Sequence, residues 1–429
     1  MGMKAYPTYK DSGVQWLAEV PSSWNVFPAK QVFADSKERR RTDDTFLTAS
    51  QKYGVISQQR YMQLIGGRIV QASQDFDKWK HVEPDDFVIS LRSFQGGLEM
   101  CAERGCVTWH YVVLKPKMEI IPLYFKWLFK SFSYIKSLQS TCNFIRDGQD
   151  LRYSNFVQVP IPFPPLTEQK TIASFLDKKC AEIEKLISRR QSIIERLREL
   201  KQSIIAEAVT KGLNPDVPLK ESSSEWLGQV PKHWELDLLK KFCSPVKYKN
   251  SSLDSDTALQ FRYGEIIEKS NIDKTDAEYM KTIAEYTVIH PNNIIINGLN
   301  MNYDFVSQRV AISTLEGVIT SAYLALDINQ SILPKYLTYQ LKSFDTQKLF
   351  HGLGKGIRLT LTYKILSRIL IAVPPSEEQK EIVNYLDKKC AKIDELISRH
   401  EQTIEKLKEL KTATIAHVVT GKMDVRDAI

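Results

Sequence analysis

The sequence predicts an α/β (α+β) protein in which two mixed α/β domains alternate with two long helices. A stretch of 47 residues from Pro164 to Thr210 recurs from Pro374 to Thr420, without a gap and at a constant offset of 210 residues. Roughly 27 of the paired positions are identical, which indicates a tandem duplication. After its opening Pro-Pro pair neither copy contains Gly or Pro, and both carry apolar residues at helical spacing. We therefore expect a pseudo-two-fold internal repeat of domain and rod.

The repeat divides the chain into four segments. Residues 1–163 form a first domain and 164–212 a first long helix, whereas 213–373 form a second domain and 374–429 a second long helix with a C-terminal tail. Each domain opens with a W-L-x-x-V-P-x-x-W element, residues 16–24 in one copy and 226–234 in the other. Two tryptophans with a Leu and a Val are more typical of a packing clamp than of a ligand site, so we interpret the element as structural.

Each long helix is expected to begin just after its Pro-Pro pair, because proline cannot continue a helix from upstream. Ser376 and Gln379 have the spacing of a capping box, whereas the first copy offers Thr167 as a cap and has Lys170 where Gln or Glu would complete the box. About 43 helical residues at about 1.5 Å each give a rod of about 65 Å. One domain of ordinary size is too small to cover such a rod.

The apolar spacing predicts that the two rods pair with each other as a coiled coil. Arg190 and His400 occupy equivalent positions, where a polar residue can fix the register. The pattern alone leaves parallel and antiparallel pairing open, and packing of each helix on its own domain is the alternative. On a seven-residue a/d pattern, the expected helix-pairing residues are Ile183, Leu186, Arg190, Ile193, Leu197, Leu200, Ile204, Ile393, Leu396, His400, Leu407 and Leu410.

The two domains differ strongly in sequence but share the positions of their turns. Residues 84–91 (PDDFVISL) resemble residues 291–298 (PNNIIING), and both predict a turn that leads into a buried strand. Residues 105–114 and 317–326 predict a second strand in each domain, with Tyr111 and Tyr323 matched. A shared scaffold with diverged loops is expected of two modules that recognise two different targets.

The composition, 43% hydrophobic and 26% charged residues, is typical of a globular protein. No apolar run approaches the roughly 18 residues of a membrane span, and the first residues lack a signal-peptide core, so we expect a cytoplasmic protein.

Cys101 and Cys106 are the only close cysteine pair, and no second pair follows at zinc spacing, so reduced thiols and no metal are expected. A net charge of +8 permits nucleic-acid binding without requiring it.

Motifs for catalysis are missing from the sequence. There is no phosphate-binding G-x-x-x-x-G-K-[ST] loop, no G-x-S-x-G elbow, no H-E-x-x-H and no kinase motif set. The Asn/Asp-Pro-Pro-aromatic motif of amino-methyltransferases is also missing, because Phe163 and Val373 precede the Pro-Pro pairs. We therefore expect that the chain is not an enzyme and that it binds no cofactor. The alternative is an active site without a recognisable motif.

The arrangement resembles the specificity subunit of Type I restriction–modification enzymes. The resemblance rests on a W-L-x-x-V-P-x-x-W opening, a variable domain, and PP-x-x-EQK-x-I-x-x-x-LD leading into a Leu/Ile-rich helix, all present twice from Lys10 to Thr420. Lys170, together with Leu166 and Thr167 in place of a full capping box, departs from the pattern and affects only the exact helix start.

The resemblance implies that each domain is a target-recognition domain that reads one half of a bipartite double-stranded DNA sequence. The rods would pair antiparallel as a spacer of fixed length. The rods and the bases of the domains would also dock two methylation subunits, which carry the S-adenosylmethionine chemistry. Restriction subunits with translocase and nuclease activity would join that core. The chain itself would be a non-catalytic scaffold. Because its two domains differ, the target should be asymmetric.

Candidate DNA-binding residues are polar or basic side chains on expected loops, since base edges and phosphates are met by Arg, Lys, Asn and Gln. Solvated surface charge is the alternative for the basic cluster at residues 37–41. The first-domain candidates are Lys37, Arg39, Arg40, Arg41, Gln58, Gln59, Arg60, Arg92, Ser93, Gln95, Arg146, Gln149 and Arg152. The second-domain candidates are Lys247, Tyr248, Lys249, Asn250, Arg262, Tyr263, Asn297, Asn300, Asn302, Tyr303, Lys355 and Arg358.

Three other interpretations remain open at this point. A stand-alone DNA-binding regulator would need no methylation partner. A coiled-coil adaptor without a nucleic-acid role would leave the doubled, diverged domains unexplained. A self-sufficient methyltransferase is disfavoured by the missing motif.

Overall fold

A computed structural model describes residues 4–69, 75–91, 93–142, 151–270, 273–274, 276–303, 308–354, 356 and 359–428. The chain forms two compact units. The first comprises Met1–Arg190 and Gln402–Ile429, and the second comprises Gln191–Glu401. Each unit therefore holds one mixed domain, the beginning of one long helix and the end of the other. The division of the sequence into four segments remains a prediction.

The first domain consists of short strands and helices and ends in the first long helix. In chain order these are β1 (Tyr9–Asp11), β2 (Glu19–Pro21), β3 (Asn25–Phe27), α1 (Ala29–Val32), β4 (Phe33–Ser36), β5 (Leu47–Ser50), β6 (Gly54–Ser57), α2 (Gln58–Ile65), β7 (Lys80–Val82), β8 (Phe87–Ile89), α3 (Ser93–Gly96), β9 (Glu99–Met100), β10 (Gly105–Val107), β11 (Val112–Pro116), α4 (Pro122–Lys130), α5 (Phe132–Gln139), α6 (Tyr153–Phe156), β12 (Ile161–Phe163) and α7 (Leu166–Lys211).

The second domain repeats this order. It comprises β13 (Leu219–Glu221), β14 (Gln229–Pro231), β15 (Glu235–Leu238), β16 (Cys243–Pro245), β17 (Leu259–Arg262), β18 (Glu265–Glu268), α8 (Ala277–Ala284), β19 (Thr287–Ile289), β20 (Ile294–Ile296), β21 (Val310–Ile312), β22 (Gly317–Ile319), β23 (Leu324–Ile328), α9 (Pro334–Thr346), α10 (Leu349–Leu353), α11 (Tyr363–Leu366), β24 (Leu370–Val373) and α12 (Ser376–Val419).

The same sheet is built twice. In the first unit a four-stranded antiparallel sheet has the order β4-β11-β8-β9, and in the second the order is β16-β23-β20-β21. The hairpins β5-β6 and β17-β18 correspond, as do the pairs β12-β3 and β15-β24. The fold class predicted from the sequence is confirmed: two mixed α/β domains alternate with two long helices.

The second strand expected in each domain is in fact two strands. A turn closed by the N–H of Tyr111 and the carbonyl of Thr108 (3.1 Å) separates β10 from β11. The N–H of Tyr323 and the carbonyl of Thr320 (3.2 Å) make the matching turn between β22 and β23. The matched tyrosines therefore mark a turn, because β10 and β22 leave the central sheet to pair with β7 and β19.

The two cores differ in chemistry. In the first unit Phe33 packs against Phe87, Phe125, Phe129 and Phe156, with ring centroids 5.3 to 6.0 Å apart. In the second unit aliphatic residues of the central sheet and of α9 dominate the same layer. Both solutions bury a large apolar area, and this burial is the main force that stabilises each domain. Among the described residues, no helix is both long and apolar enough to cross a membrane.

The long helices pair antiparallel within each unit. In the second unit Arg198 contacts Glu401 at 3.2 Å and Lys201 contacts Asp394 at 2.6 Å, so numbers rise along α7 while they fall along α12. In the first unit Lys411 contacts Glu184 at 2.5 Å. The hydroxyl of Tyr124 there donates to the carbonyls of Pro162, just before α7, and of Val419, the last residue of α12.

The sequence pattern placed part of the apolar seam on the wrong residues. Leu186, Ile193, Leu200 and Leu410 are 44%, 38%, 49% and 50% exposed, so they do not form the seam. Their chain neighbours Ile187 and Ile194 are buried instead. After Ile183 and after Arg190, apolar residues stand both three and four positions further on, and the residues four positions on, Ile187 and Ile194, are the buried ones. Of the other expected residues, Ile183 and Ile393 are buried and Arg190, Leu197, Ile204, Leu396, His400 and Leu407 are half-buried.

Each domain is joined to its long helices through a buried tryptophan. The indole N–H of Trp24 donates to Glu168 at 3.0 Å, and that of Trp234 donates to Glu378 at 3.0 Å. Both glutamates lie in the first turn of a long helix, where the helix dipole favours negative charge. The opening element is therefore a packing clamp, as the sequence analysis interpreted it.

The glutamine that follows each of these glutamates adds further hydrogen bonds between the long helix and its domain. The side chain of Gln379 donates to the carbonyl of Pro374 at 2.9 Å and accepts from the N–H of Leu333 at 2.7 Å. The expected capping box of Ser376 and Gln379 is therefore wrong, because the amide reaches outward to cap α9 instead. Gln169 forms the matching bonds with Pro164 (2.9 Å) and Ile121 (3.0 Å).

Candidate nucleic-acid interface

Most of the basic cluster at residues 37–41 is engaged inside the first domain. Arg41 contacts Glu38 at 2.6 Å and Glu83 at 3.1 Å, and Lys37 pairs with Asp35. Arg39 donates to the carbonyl of Lys78 at 3.0 Å, and Arg40 lies over the ring of Phe46. The hydrogen bond from Arg41 lowers the pKa of Glu38, so this carboxylate stays charged at neutral pH. The net positive field of the cluster is therefore weaker than its sequence indicates.

A buried histidine holds this loop, and the sequence analysis missed it. Both ring nitrogens of His81 face carboxylates: Nδ1 lies 2.8 Å from Asp44 and Nε2 lies 2.8 Å from Glu83. The contact with His81 lowers the pKa of Glu83. Arg104 adds a contact of 2.8 Å to Asp43. A histidine in a short strand beside Glu83 is a weak sequence signal, because its partner Asp44 comes from a distant loop.

Helix α2 presents polar side chains from its first turn. Ser57 caps the helix by accepting from the N–H of Arg60. The guanidinium of Arg60 contacts Glu103 at 3.0 Å, yet its side chain remains 60% exposed. Gln59 is exposed and Gln58 is half-buried. This turn can therefore offer amide groups to a ligand beside a partly neutralised cation.

Hydrogen bonds within the first domain fix the loop that joins the central strands β8 and β9. Ser93 is buried, and its hydroxyl accepts from the N–H of Ser90 at 2.8 Å, so it shapes the turn and is not available to bases. The side chain of Gln139 donates to the carbonyl of Phe94 at 2.7 Å. Gln95 is exposed on this loop. Arg92, Arg146 and Gln149 lie outside the described residues, and Arg152 is exposed before α6.

In the second domain the candidate segment 247–250 divides into exposed and buried residues. Lys247, Tyr248 and Lys249 are exposed, and the hydroxyl of Tyr248 donates to Asp254 at 2.6 Å. Lys249 donates to the carbonyl of Glu285 at 3.1 Å. Asn250 is fully buried, and its amide bonds to the backbone of Ser255 and Ile283, which excludes it from base contact.

The loop that joins β20 and β21 is the matching edge of the second domain. Asn297 is half-buried, and its side chain accepts from the N–H of Leu299 at 3.2 Å. Asn300 is exposed in a left-handed conformation (φ 49°), which places its amide at the tip of the turn. Asn302 is half-buried in the 3-10 turn Met301–Tyr303. The side chain of Tyr303, together with Lys355 and Arg358, lies outside the described residues.

Arg309 supports this loop from beneath, and sequence reasoning missed it. Its side chain is buried, and Nη1 donates to the carbonyls of Asn297 (3.0 Å) and Leu299 (2.9 Å). Its own N–H donates to Asp345 on α9 at 2.7 Å. Burial raises the pKa of Asp345, and the Arg309 charge opposes that shift. A lone Arg before an apolar strand gave no signal for this role.

The hairpin β17-β18 carries two exposed candidates, Arg262 and Tyr263. Tyr263 is 80% exposed at the turn, and the guanidinium carbon of Arg262 lies 5.4 Å from the centre of its ring. Tyr263 (φ 50°) and Gly264 (φ 78°) both adopt left-handed conformations, as the tight turn between paired strands requires. The turn therefore holds a cation and an aromatic ring away from the domain.

Thiols and metal ligands give no second site in the described part of the chain. No group of three or more His, Cys, Asp or Glu side chains there could hold a metal ion. All six cysteines are free, and burial raises the pKa of Cys106 to about 11. A buried thiol with a raised pKa is a poor nucleophile at neutral pH.

One family model matches part of the chain. Residues 21–195 match the family model for the Type I restriction modification DNA specificity domain. A predicted Type I restriction enzyme specificity subunit of Methanocaldococcus jannaschii, MjaX, is 22% identical over 361 residues, which cover 81% of this chain and 78% of that protein.

Two solved structures share the fold. A chain from a study of assembly and conformational transition in the type I R-M system superposes with a TM-score of 0.64 at 16% identity, covering 93% of this chain and 98% of that one. The HsdS subunit from Thermoanaerobacter tengcongensis superposes with a TM-score of 0.52 at 16% identity, covering 94% and 98%.

Proposed function

We propose that this chain is a specificity subunit of a Type I restriction–modification enzyme and supplies the DNA sequence specificity of such a complex. The observation that carries the proposal is the repeated scaffold. Each unit has the same sheet order and the same Trp–Glu joint, yet the loops at the corresponding edges differ. Two like frames with unlike loops suit two unlike DNA half-sites. The family match over residues 21–195 supports the same function.

Each domain would read its half-site through the loop that joins two central strands. In the second domain the exposed Asn300 has the amide that pairs well with adenine. In the first domain Gln95 offers the same chemistry from the matching loop. Phosphate contacts from neighbouring cations would set the position, and the loops would supply the sequence preference.

The long helices would act as the spacer between half-sites. One heptad adds about 10 Å to a helix, which corresponds to about three base pairs at 3.4 Å each. We expect that inserting one heptad into both α7 and α12 widens the non-specific spacer and leaves both half-sites unchanged. The change is read by mapping methylated sites. A changed half-site with an unchanged spacer would contradict the proposal.

The chain would work with partners and perform no chemistry itself. Two methylation subunits would dock on the rods and bind the S-adenosylmethionine, and restriction subunits would join that core. The complex would act on chromosomal DNA in the cytoplasm. A stand-alone regulator is the competing function, and it predicts tight, specific DNA binding by the purified chain without any methylation subunit.

The test is genome-wide mapping of methylated adenines in matched cells with and without this chain, the methylation subunit being present in both. A bipartite, asymmetric motif that appears only with the chain is the expected result. If the methylation subunit is active but no motif depends on the chain, the specificity function is wrong. In that case binding of the purified chain to genomic fragments tests the regulator.

A further inference from the structure

Beyond the opening element and the matched turns, the two domains share one short motif. Lys52-Tyr53-Gly54 and Arg262-Tyr263-Gly264 both read basic-Tyr-Gly, and they keep the offset of 210 residues that relates the two rods. Both lie at the turn of corresponding hairpins, in slightly different positions. Lys52 and Tyr53 belong to the turn before Gly54, which begins β6, whereas Arg262 ends β17 and Tyr263 and Gly264 form the turn. We call these two turns the hairpin tips.

Each hairpin tip places a cation over its own tyrosine. Lys52 Nζ lies 5.0 Å from the ring centre of Tyr53, and the matching distance for Arg262 and Tyr263 is 5.4 Å. Lys52 and Arg262 are exposed. In the described part of the chain neither forms an ion pair, unlike Arg60, which contacts Glu103. The positive charge at each tip is therefore available to an external anion.

Both hairpin tips pack against the strand-joining loop of their own domain. In the first unit a side chain at Gly96 would collide with Gln51, and one at Gly54 would lie 2.8 Å from the carbonyl of Met100. In the second unit a side chain at Gly264 would lie 2.7 Å from the amide of Gln308. Each exposed cation thus stands beside the loop whose side chains differ between the domains.

A part that stays the same in two domains with different targets should meet something common to both targets. The sugar-phosphate backbone is common to every DNA half-site, whereas the bases are not. We propose that the two hairpin tips make the same sequence-independent contact with DNA phosphates, one beside each half-site, while the adjacent loops read the bases. This inference rests on the proposed function.

A methylation subunit would be the other partner common to both domains, but the exposed cation at each hairpin tip favours DNA phosphate. An exposed Lys or Arg above a tyrosine ring presents positive charge, and a charge-assisted hydrogen bond to phosphate suits it. A protein docking surface would instead centre on buried apolar anchors, and the tips offer only one aromatic side chain each.

The experiment uses the complex of the full chain with its methylation subunit and measures DNA binding by fluorescence anisotropy between 50 and 200 mM salt. The variants are Lys52→Gln, Arg262→Gln and both together. The probes are a duplex with the mapped bipartite motif and a scrambled duplex. The control is Lys269→Gln. Lys269 follows β18 at the end of the second hairpin that is remote from its turn, and its Nζ lies 5.8 Å from the ring centre of Tyr286.

Each single variant should raise Kd about tenfold on both duplexes, since one charge-assisted hydrogen bond is lost. It should also reduce the slope of log K against log salt by about 0.9, the value for one phosphate contact. The double variant should show about twice that loss of slope. The ratio of the two affinities should stay unchanged in every variant, and Lys269→Gln should bind as the unmodified complex does.

Four results would overturn the inference. A changed ratio of the two affinities would indicate base reading, and loss of complex assembly in size-exclusion chromatography would indicate protein docking. An equal loss of DNA affinity in Lys269→Gln would indicate a general charge effect, and unchanged DNA affinity in every variant would show that the tips make no contact. Failure of the proposed function is distinguishable, because then the unmodified complex would not prefer the motif duplex at all.

Discussion

The two domains share the joint to their long helices but differ in the brace beneath the strand-joining loop. In the first unit an acidic strand residue, Glu99, pairs with a basic helix residue, Lys130. In the second unit the acid lies on the helix: Asp345 on α9 accepts from the backbone N–H of Arg309, just before β21, and the Arg309 charge lowers the pKa that burial raises. A buried carboxylate between strand and helix needs a compensating charge or hydrogen bond. The element that carries this carboxylate differs between the two units.

This difference separates two demands on the fold. The joint uses hydrogen bonds to fixed groups, an indole N–H and backbone atoms, so its residues remain the same in both copies. The brace needs only a compensated buried carboxylate. Arg309 in addition bonds the carbonyls of Asn297 and Leu299 in its loop. The loop edge can therefore diverge without disturbing the sheet, which is what two different half-sites would require.

The largest effect that tests this comparison is expected at the joint. Replacing either Trp24 or Trp234 with Ala should destabilise its own unit by about 4 kcal/mol, because a fully buried indole and its bond to a glutamate are lost. Hydrogen exchange followed by mass spectrometry can measure each unit separately. The half-exposed Trp109 supplies the control, and Trp109→Ala should change stability by less than about 1 kcal/mol. Clearly unequal losses in the two tryptophan variants would show that the joints are not equivalent.

The braces should differ in what they support. Arg309→Leu removes two side-chain hydrogen bonds to loop carbonyls and the positive charge that lowers the pKa of Asp345, while the backbone bond to Asp345 remains. A loss of about 3 kcal/mol is expected. Lys130→Leu leaves Glu99 buried without its cation and should cost a similar amount. Only Arg309→Leu should speed hydrogen exchange in residues 297–303. Faster exchange in the first-domain loop, residues 90–98, of the Lys130 variant would contradict this assignment.

The Lys130 variant should also gain a pH dependence. Burial raises the pKa of Glu99, and Lys130 opposes that shift, so removing Lys130 raises the pKa further. The folded state then holds a proton that the unfolded state has lost, between the ordinary carboxyl pKa and the raised one. Stability should therefore fall as pH rises through that window. Urea titrations at several pH values measure it, and adding Glu99→Gln to the variant should abolish the dependence.

Sequence reasoning succeeded where one motif repeats with a fixed physical role. The Pro-Pro pair, the opening tryptophan element and the absence of helix breakers predicted both long helices and the clamp. Antiparallel pairing followed only from the resemblance, because an a/d pattern has no direction. The repeat also located corresponding strands, since buried β-branched runs after a turn are strong local signals.

It failed where distant residues decide. Ser93 and Asn250 have the chemistry of base readers, but both are buried in the folded domain, and Asn250 bonds to Ile283, 33 residues away. Arg309 supports a loop whose other contacts lie far along the chain, so no local pattern marks it. The Lys52-Tyr53-Gly54 motif was overlooked because its meaning depends on the matching turn 210 residues away. Burial and pairing of polar groups are tertiary properties, which local spacing does not encode.

The rods provide the smallest and most local test. Ile187 is buried in the helix pair, whereas its neighbour Leu186 is 44% exposed. Ile187→Ala should cost about 2 kcal/mol, and Leu186→Ala should cost less than about 1 kcal/mol, because only the first removes buried methyl groups. In the second copy Ile397 is half-buried at the position that matches Ile187, so Ile397→Ala should cost an intermediate amount. Thermal unfolding ranks the three variants by stability. A larger loss of stability for Leu186→Ala than for Ile187→Ala would show that Leu186 belongs to the buried seam, as the sequence pattern predicted.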